Sequence, residues 1–163
     1  MAVAMSVRTE DERLMGLALE QARRTTASAD VPVGAVLVDS TGAVVATGYN
    51  LKEARHDPTA HAEIEAIRAA TALRGDWQLR DLTLVVTLEP CIMCAGAILA
   101  ARIPRVVFGA WEDKAGAAGS AFDLLRDRRL AHRAEVLGGV REAECAAILV
   151  EFFRETLASP SEI

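Results

Sequence analysis

The residues best equipped for chemistry in this sequence are His61-Ala62-Glu63 and, further along, Pro90-Cys91-Ile92-Met93-Cys94. One imidazole and two thiols are donors that suit zinc. Three protein ligands leave the fourth tetrahedral position to water, which is the arrangement of a catalytic site and not of a closed structural one. Two thiolates cancel the formal charge of the ion and weaken it as a Lewis acid, yet bound water is still far more acidic than bulk water, with a pKa toward about 7 to 9. Glu63 need not be a ligand. Its carboxylate can take the proton of an attacking water and pass it to a substrate and then to a leaving group.

The spacing constrains how these side chains are carried. Cys91 and Cys94 lie three apart, so on a helix they share one face and can hold one ion. Pro90 suits the start of that helix, where the dipole favours thiolate over thiol. His61 and Glu63 lie two apart and point to nearly opposite sides of a helix, so both reach one centre only from the helix N-terminus. Two helices are therefore expected to aim their N-termini at the metal. A C-x-x-C by itself is equally a structural clip or a redox pair; the histidine and carboxylate upstream favour catalysis.

The remaining candidates read as structural. Cys145 falls on the inward stripe of a late helix with Ile148, Leu149 and Phe152, as a core cysteine does. His56 and His132 read as loop or surface residues, Glu65 as a solvated helix position, and Glu89 as a hydrogen-bonding brace before the cysteine helix.

Hydrophobic periodicity supplies the frame. Thr9-Glu10-Asp11-Glu12 reads as a capping box opening a helix to about residue 26. Strands are expected at 33–39 and 44–49 around the Ser40-Thr41-Gly42 turn, a helix at 59–73, and a strand at 83–88. A helix at 91–101, a strand at 105–108, a short helix at 120–126, a strand at 134–137 and a closing helix at 141–157 follow. A hairpin followed by helix–strand alternation gives an α/β sheet of mixed strand direction. The 93–101 helix has no polar face and must be covered all round, so we expect a homodimer.

The 163 residues suit one domain, with a core at about 9–157. Three cysteines, two of them in the C-x-x-C, argue against a disulfide framework. Met1 to Val7 is too short and weakly apolar for a signal peptide, and no run approaches a membrane span, which points to the cytoplasm. The net charge of −5 argues against indiscriminate nucleic-acid binding. All basic residues except Lys52 and Lys114 are arginine, which stacks on bases and forks to phosphate.

From about Asp11 to Arg154 the chain resembles the bacterial tRNA-specific adenosine deaminases, within the cytidine/deoxycytidylate deaminase superfamily. The resemblance rests on Val31-Pro32-Val33-Gly34-Ala35-Val36, the run from Arg55 to Glu63, and the run from Val86 to Ala97. Arg105-Val106-Val107-Phe108-Gly109-Ala110 and the run from Lys114 to Ser120 look like the tRNA enzymes specifically. The resemblance implies a cytidine-deaminase-like three-layer α/β/α fold with a mixed five-stranded sheet, a homodimer and one zinc per subunit. It also implies hydrolysis of adenosine to inosine at wobble position 34 of a tRNA anticodon stem-loop, in tRNA-Arg. Carried over, His61, Cys91 and Cys94 are ligands and Glu63 the proton shuttle. Asn50 looks like an amide for the purine edge, with the Ala62 N–H, Glu112 and Lys114 as further substrate contacts.

Two departures stand out: Glu112 replaces the usual aspartate, and the tail after Arg154 lacks further basic residues. The alternatives are guanine deaminase or another free nucleobase or nucleoside deaminase, and a non-catalytic zinc-stabilised RNA-binding module. An unliganded Glu63 has no purpose in the last of these.

Overall fold

The structure, a computed structural model, describes residues 2–158, with side chains from Arg8 onward. Its strands are β1 (Gly34–Val38), β2 (Val44–Tyr49), β3 (Thr83–Leu88), β4 (Arg105–Ala110) and β5 (Glu135–Leu137). Its helices are α1 (Ala2–Ala22), the single turn α2 (Lys52–Arg55), α3 (Ala62–Arg74), α4 (Ile92–Ala100) and α5 (Glu142–Ala158). The strands form one sheet in the order β2-β1-β3-β4-β5. β1 pairs antiparallel with β2 and β3, while β3–β4 and β4–β5 are parallel. This is the expected mixed five-stranded sheet.

Alternation along the strands builds a core on each face. Leu37, Leu84, Val86 and Phe108 pack with residues of α3 and α4 on one side. Val36, Val38, Val85 and Val107 pack with Leu14, Met15, Ala18 and Leu19 of α1, and with Cys145 of α5, on the other. Covered twice, β1 and β3 need apolar residues at consecutive positions, which is why they read as unbroken aliphatic runs. Asp11, 2% exposed, takes both guanidinium arms of Arg105 at 2.9 Å and ties α1 to β4.

Strand direction decides where the site forms. β2, β3 and β4 all run the same way, so Asn50, Leu88-Glu89 and the residues after Ala110 emerge at one edge. α3 and α4 both start there, at the carboxyl ends of the strands, where open α/β sheets place their ligands.

Gly48 lets α3 lie directly on β2. A Cβ at this position would collide with the Ala62 carbonyl and the Ala66 amide nitrogen, both backbone atoms that cannot step aside. Gly48→Ala must therefore push away the helix end bearing His61 and Glu63. It should destabilise the fold by about 1–3 kcal/mol and weaken zinc retention, as read by thermal unfolding and metal content.

Three local expectations fail. Thr9 does not cap α1; it sits inside a helix already formed at Ala2, because no Gly or Pro stops the helix upstream. α3 begins at Ala62 and not near Thr59, since Asp57 takes the Thr59 N–H at 2.8 Å and its hydroxyl at 2.7 Å in a turn. No helix forms at 120–126. There the Ser120 N–H goes to the Glu89 carboxylate at 3.0 Å and the Gly119 N–H to the Phe122 carbonyl at 2.8 Å, so a long-range bond and a tight turn win over local propensity.

Candidate active site

His61 is the N-cap of α3 and Cys91 the N-cap of α4, both in extended backbone. Neither side chain caps its own helix, so both are free to point elsewhere. Glu63 and Cys94 stand in the first turns that follow. The expectation of two helix N-termini meeting at one centre holds, with Cys91 just outside its helix. Such ends concentrate unpaired N–H groups and positive dipole, which favours thiolates.

His61 Nδ1 lies 3.7 Å from Cys91 Sγ and 3.5 Å from Cys94 Sγ, and all three donor atoms lie within 4.8 Å of one another. Zinc bonds of about 2.3 Å to sulfur and about 2.0 Å to nitrogen, set tetrahedrally, place N and S about 3.5 Å apart. The donor set and its spacing therefore fit zinc through Nδ1. The protonation pattern fits as well. The hydrogen bond from Cys94, with His61 adding to it, pushes the Cys91 thiol down to about 4. That same bond and burial push Cys94 up, and the hydrogen bond with Cys91 raises His61. Groups that share protons in this way release them when they bind a divalent ion.

Glu63 is 3% exposed, and burial pushes its carboxyl above the usual range. A carboxyl poised to hold a proton at this point suits general acid–base chemistry.

Beside these groups opens a cleft of about 300 Å3, of a size for one nucleobase. Asn50, Ala62 and Glu112 line it together with His61, Glu63 and Cys91. Asn50 is 8% exposed; its amide nitrogen donates to the Val31 carbonyl at 3.0 Å and its oxygen accepts the Lys52 N–H at 3.2 Å. One amide hydrogen and one lone pair remain for a ligand. Ala62 holds the first helical position, whose N–H has no intrahelical partner. Glu112 Oε1 accepts the Lys114 N–H at 3.0 Å. Lys114 is exposed and does not line the cleft.

Several lining residues carry no sequence signal. Asp30, 1% exposed, takes the N–H groups of Glu53 and Ala54 and so fixes α2, which brings Lys52 and Glu53 to the rim. Leu149 and Phe153 of α5 close the far wall. Phe153 is half exposed and reaches the cleft, with Phe152 packed edge-on against it. Glu65 is not a solvated position: it is largely buried and paired with Arg55 at 2.6 Å and Arg68 at 3.2 Å. Cys145 is fully buried as expected, and His132 bonds the Ile103 carbonyl at 2.8 Å.

The profile of the cytidine and deoxycytidylate deaminase zinc-binding region matches residues 8–110. The tRNA-specific adenosine deaminase of Bacillus subtilis is 45% identical over 147 residues, covering 90% of this chain and 91% of that protein. A structure solved in a study of A-to-I editing by tRNA:A34 deaminases superposes with a TM-score of 0.80 at 43% identity, covering 84% of this chain and 99% of the other. The guanine deaminase of Nitrosomonas europaea superposes with a TM-score of 0.77 at 26% identity, covering 86% and 83% of the two chains.

Proposed function

We propose that this chain, which belongs to the cytidine and deoxycytidylate deaminase family, converts the wobble adenosine of a tRNA anticodon, in tRNA-Arg, to inosine and ammonia. The observation that carries the reading is a buried Glu63 beside a His61–Cys91–Cys94 cluster at the floor of a base-sized cleft. Identity to the B. subtilis tRNA enzyme holds at 45% over 90% of this chain, whereas the guanine deaminases reach 26% over 86% of it or 42% over only 61% of it, which favours RNA adenosine over free guanine.

His61, Cys91 and Cys94 would hold zinc, which when bound supplies the Lewis acidity that makes water a nucleophile near neutral pH. The Glu63 carboxylate accepts the proton released as water adds at C6 and delivers it to N1 of the ring. It then takes the second water proton from the C6 hydroxyl and gives it to the departing 6-amino group, so the C6–N bond breaks as the C6 carbonyl forms, and one water enters and one ammonia leaves. Asn50 and the Ala62 N–H hold the purine edge, while Glu112 and Lys114 contact the flanking nucleotides. Burial of Glu63 shields both proton transfers from bulk solvent. An anticodon loop is a suitable substrate because its bases leave the stack at small cost. The place of action is the cytoplasm; among the described residues no helix is long and apolar enough to cross a membrane.

The protein functions as a homodimer in this proposal. Ile92 of α4 is 51% exposed, and Met93, Gly96, Ala97 and Ala100 add an apolar, small-residue surface around it. A Cβ at Gly96 meets nothing within 4 Å in the single chain. Gly96→Arg should therefore leave the fold intact yet give a monomer mass by light scattering, where the unaltered protein gives a dimer.

The substrate is tested by offering the zinc-loaded protein an anticodon stem-loop with adenosine at position 34, free guanine and cytidine. Inosine in the stem-loop, with ammonia in equal amount, is expected. Guanine turnover without inosine overturns the substrate.

A further inference from the structure

The chemistry assigned above gives the buried carboxylate of Glu89 no part, although Glu89 lines the cleft. Its Oε2 accepts the N–H of Glu112 at 3.0 Å, and its Oε1 accepts those of Ala118 and Ser120, both at 3.0 Å. Three charge-assisted bonds to one carboxylate are an unusual investment in a loop that is otherwise short of regular structure. The same loop is fastened to the cysteine segment alongside: the Ala117 N–H donates to the Pro90 carbonyl at 2.8 Å, and Gly116 bridges Cys91. Gly116 lies so close that a Cβ there would collide with Glu89 Oε2 and Ser120 Oγ.

From this arrangement we infer that Glu89 is a positioning residue for substrate binding: its carboxylate clamps the Glu112–Ser120 loop so that Glu112 and Ala115 form one wall of the cleft. The inference rests on the tRNA deaminase reading for its substrate, but the clamp itself does not. Glu89 sits between the two parts that must stay in register, the cysteine helix on one side and the substrate wall on the other. Ala118 and Ser120 share one oxygen, so an amide in place of the carboxylate keeps those two bonds through its carbonyl. It then presents N–H to the N–H of Glu112. The residue set loose is the one whose side chain lines the cleft. Binding suffers while Glu63 and the cysteines stay where they are.

Glu89→Gln tests this directly in the zinc-loaded protein. Expected are faster hydrogen exchange at the Glu112 amide, unchanged zinc content, and a KM for the stem-loop raised about tenfold with kcat within about twofold. Gly116→Ala displaces the same carboxylate from the other side without removing its charge, and gives the same split. It also carries the test if Glu89→Gln does not fold. A fall in kcat with KM unchanged, or no change in either, overturns the inference, as does unchanged exchange at Glu112. If the unaltered protein forms no inosine, the substrate reading fails by itself, and the exchange measurement still decides the clamp.

Discussion

Glu63→Gln is expected to leave a folded, zinc-loaded protein whose rate of inosine formation falls by about 10^4-fold. The amide has the size of the carboxyl it replaces, and the site already pushes Glu63 toward its neutral form by burial. Little stability is therefore at stake, and His61, Cys91 and Cys94 keep their places. What the amide lacks is the ability to accept a proton and return it. In the proposed reaction both transfers pass through this one side chain, so no partial route is expected to survive its loss. Single-turnover inosine formation together with zinc content checks the result. A variant within tenfold of the normal rate, with full zinc, would remove Glu63 from the mechanism.

Removing a zinc ligand has a different signature, because it should take metal, activity and stability together. Cys94 is buried in the first turn of α4, where its thiol is hydrogen-bonded to Cys91. Cys94→Ala leaves two donors of three and a small cavity at a helix end that packs on the sheet. Binding of an ion to the folded state alone stabilises by RT ln(1 + [L]/Kd), so losing it costs several kcal/mol, or about 10 °C in Tm. Activity should fall to background and should not return with excess zinc. Cys145→Ala is the control. Cys145 lies in the core between α5 and the sheet, apart from the donor cluster, so that variant loses some stability through the lost packing but keeps one zinc and its turnover.

The sequence reveals the metal cluster more fully than the cleft around it, and the reason is physical. His61, Glu63, Cys91 and Cys94 are bound to one another by short spacings, and those spacings force the helix N-termini that the structure contains. β2 and β3 were legible to the residue because aliphatic and β-branched runs end at polar turns. The cleft is assembled otherwise. Asp30 acts across more than twenty positions on the N–H groups of Glu53 and Ala54, and Phe153 arrives from the last helix. No local pattern marks either. Glu65 looks solvated from its own helix because only Arg68 is a neighbour there; Arg55, which completes its pairing, comes from the separate turn α2. The missing helix at 120–126 shows the reverse case, a local propensity overridden by a distant carboxylate.

The most direct test of the account is a zinc titration of metal-stripped protein, following inosine formation in the anticodon stem-loop. The three donors of one cluster predict activity rising in a straight line and stopping at one equivalent per chain. Activity in the stripped protein, or full zinc occupancy without inosine, would contradict it.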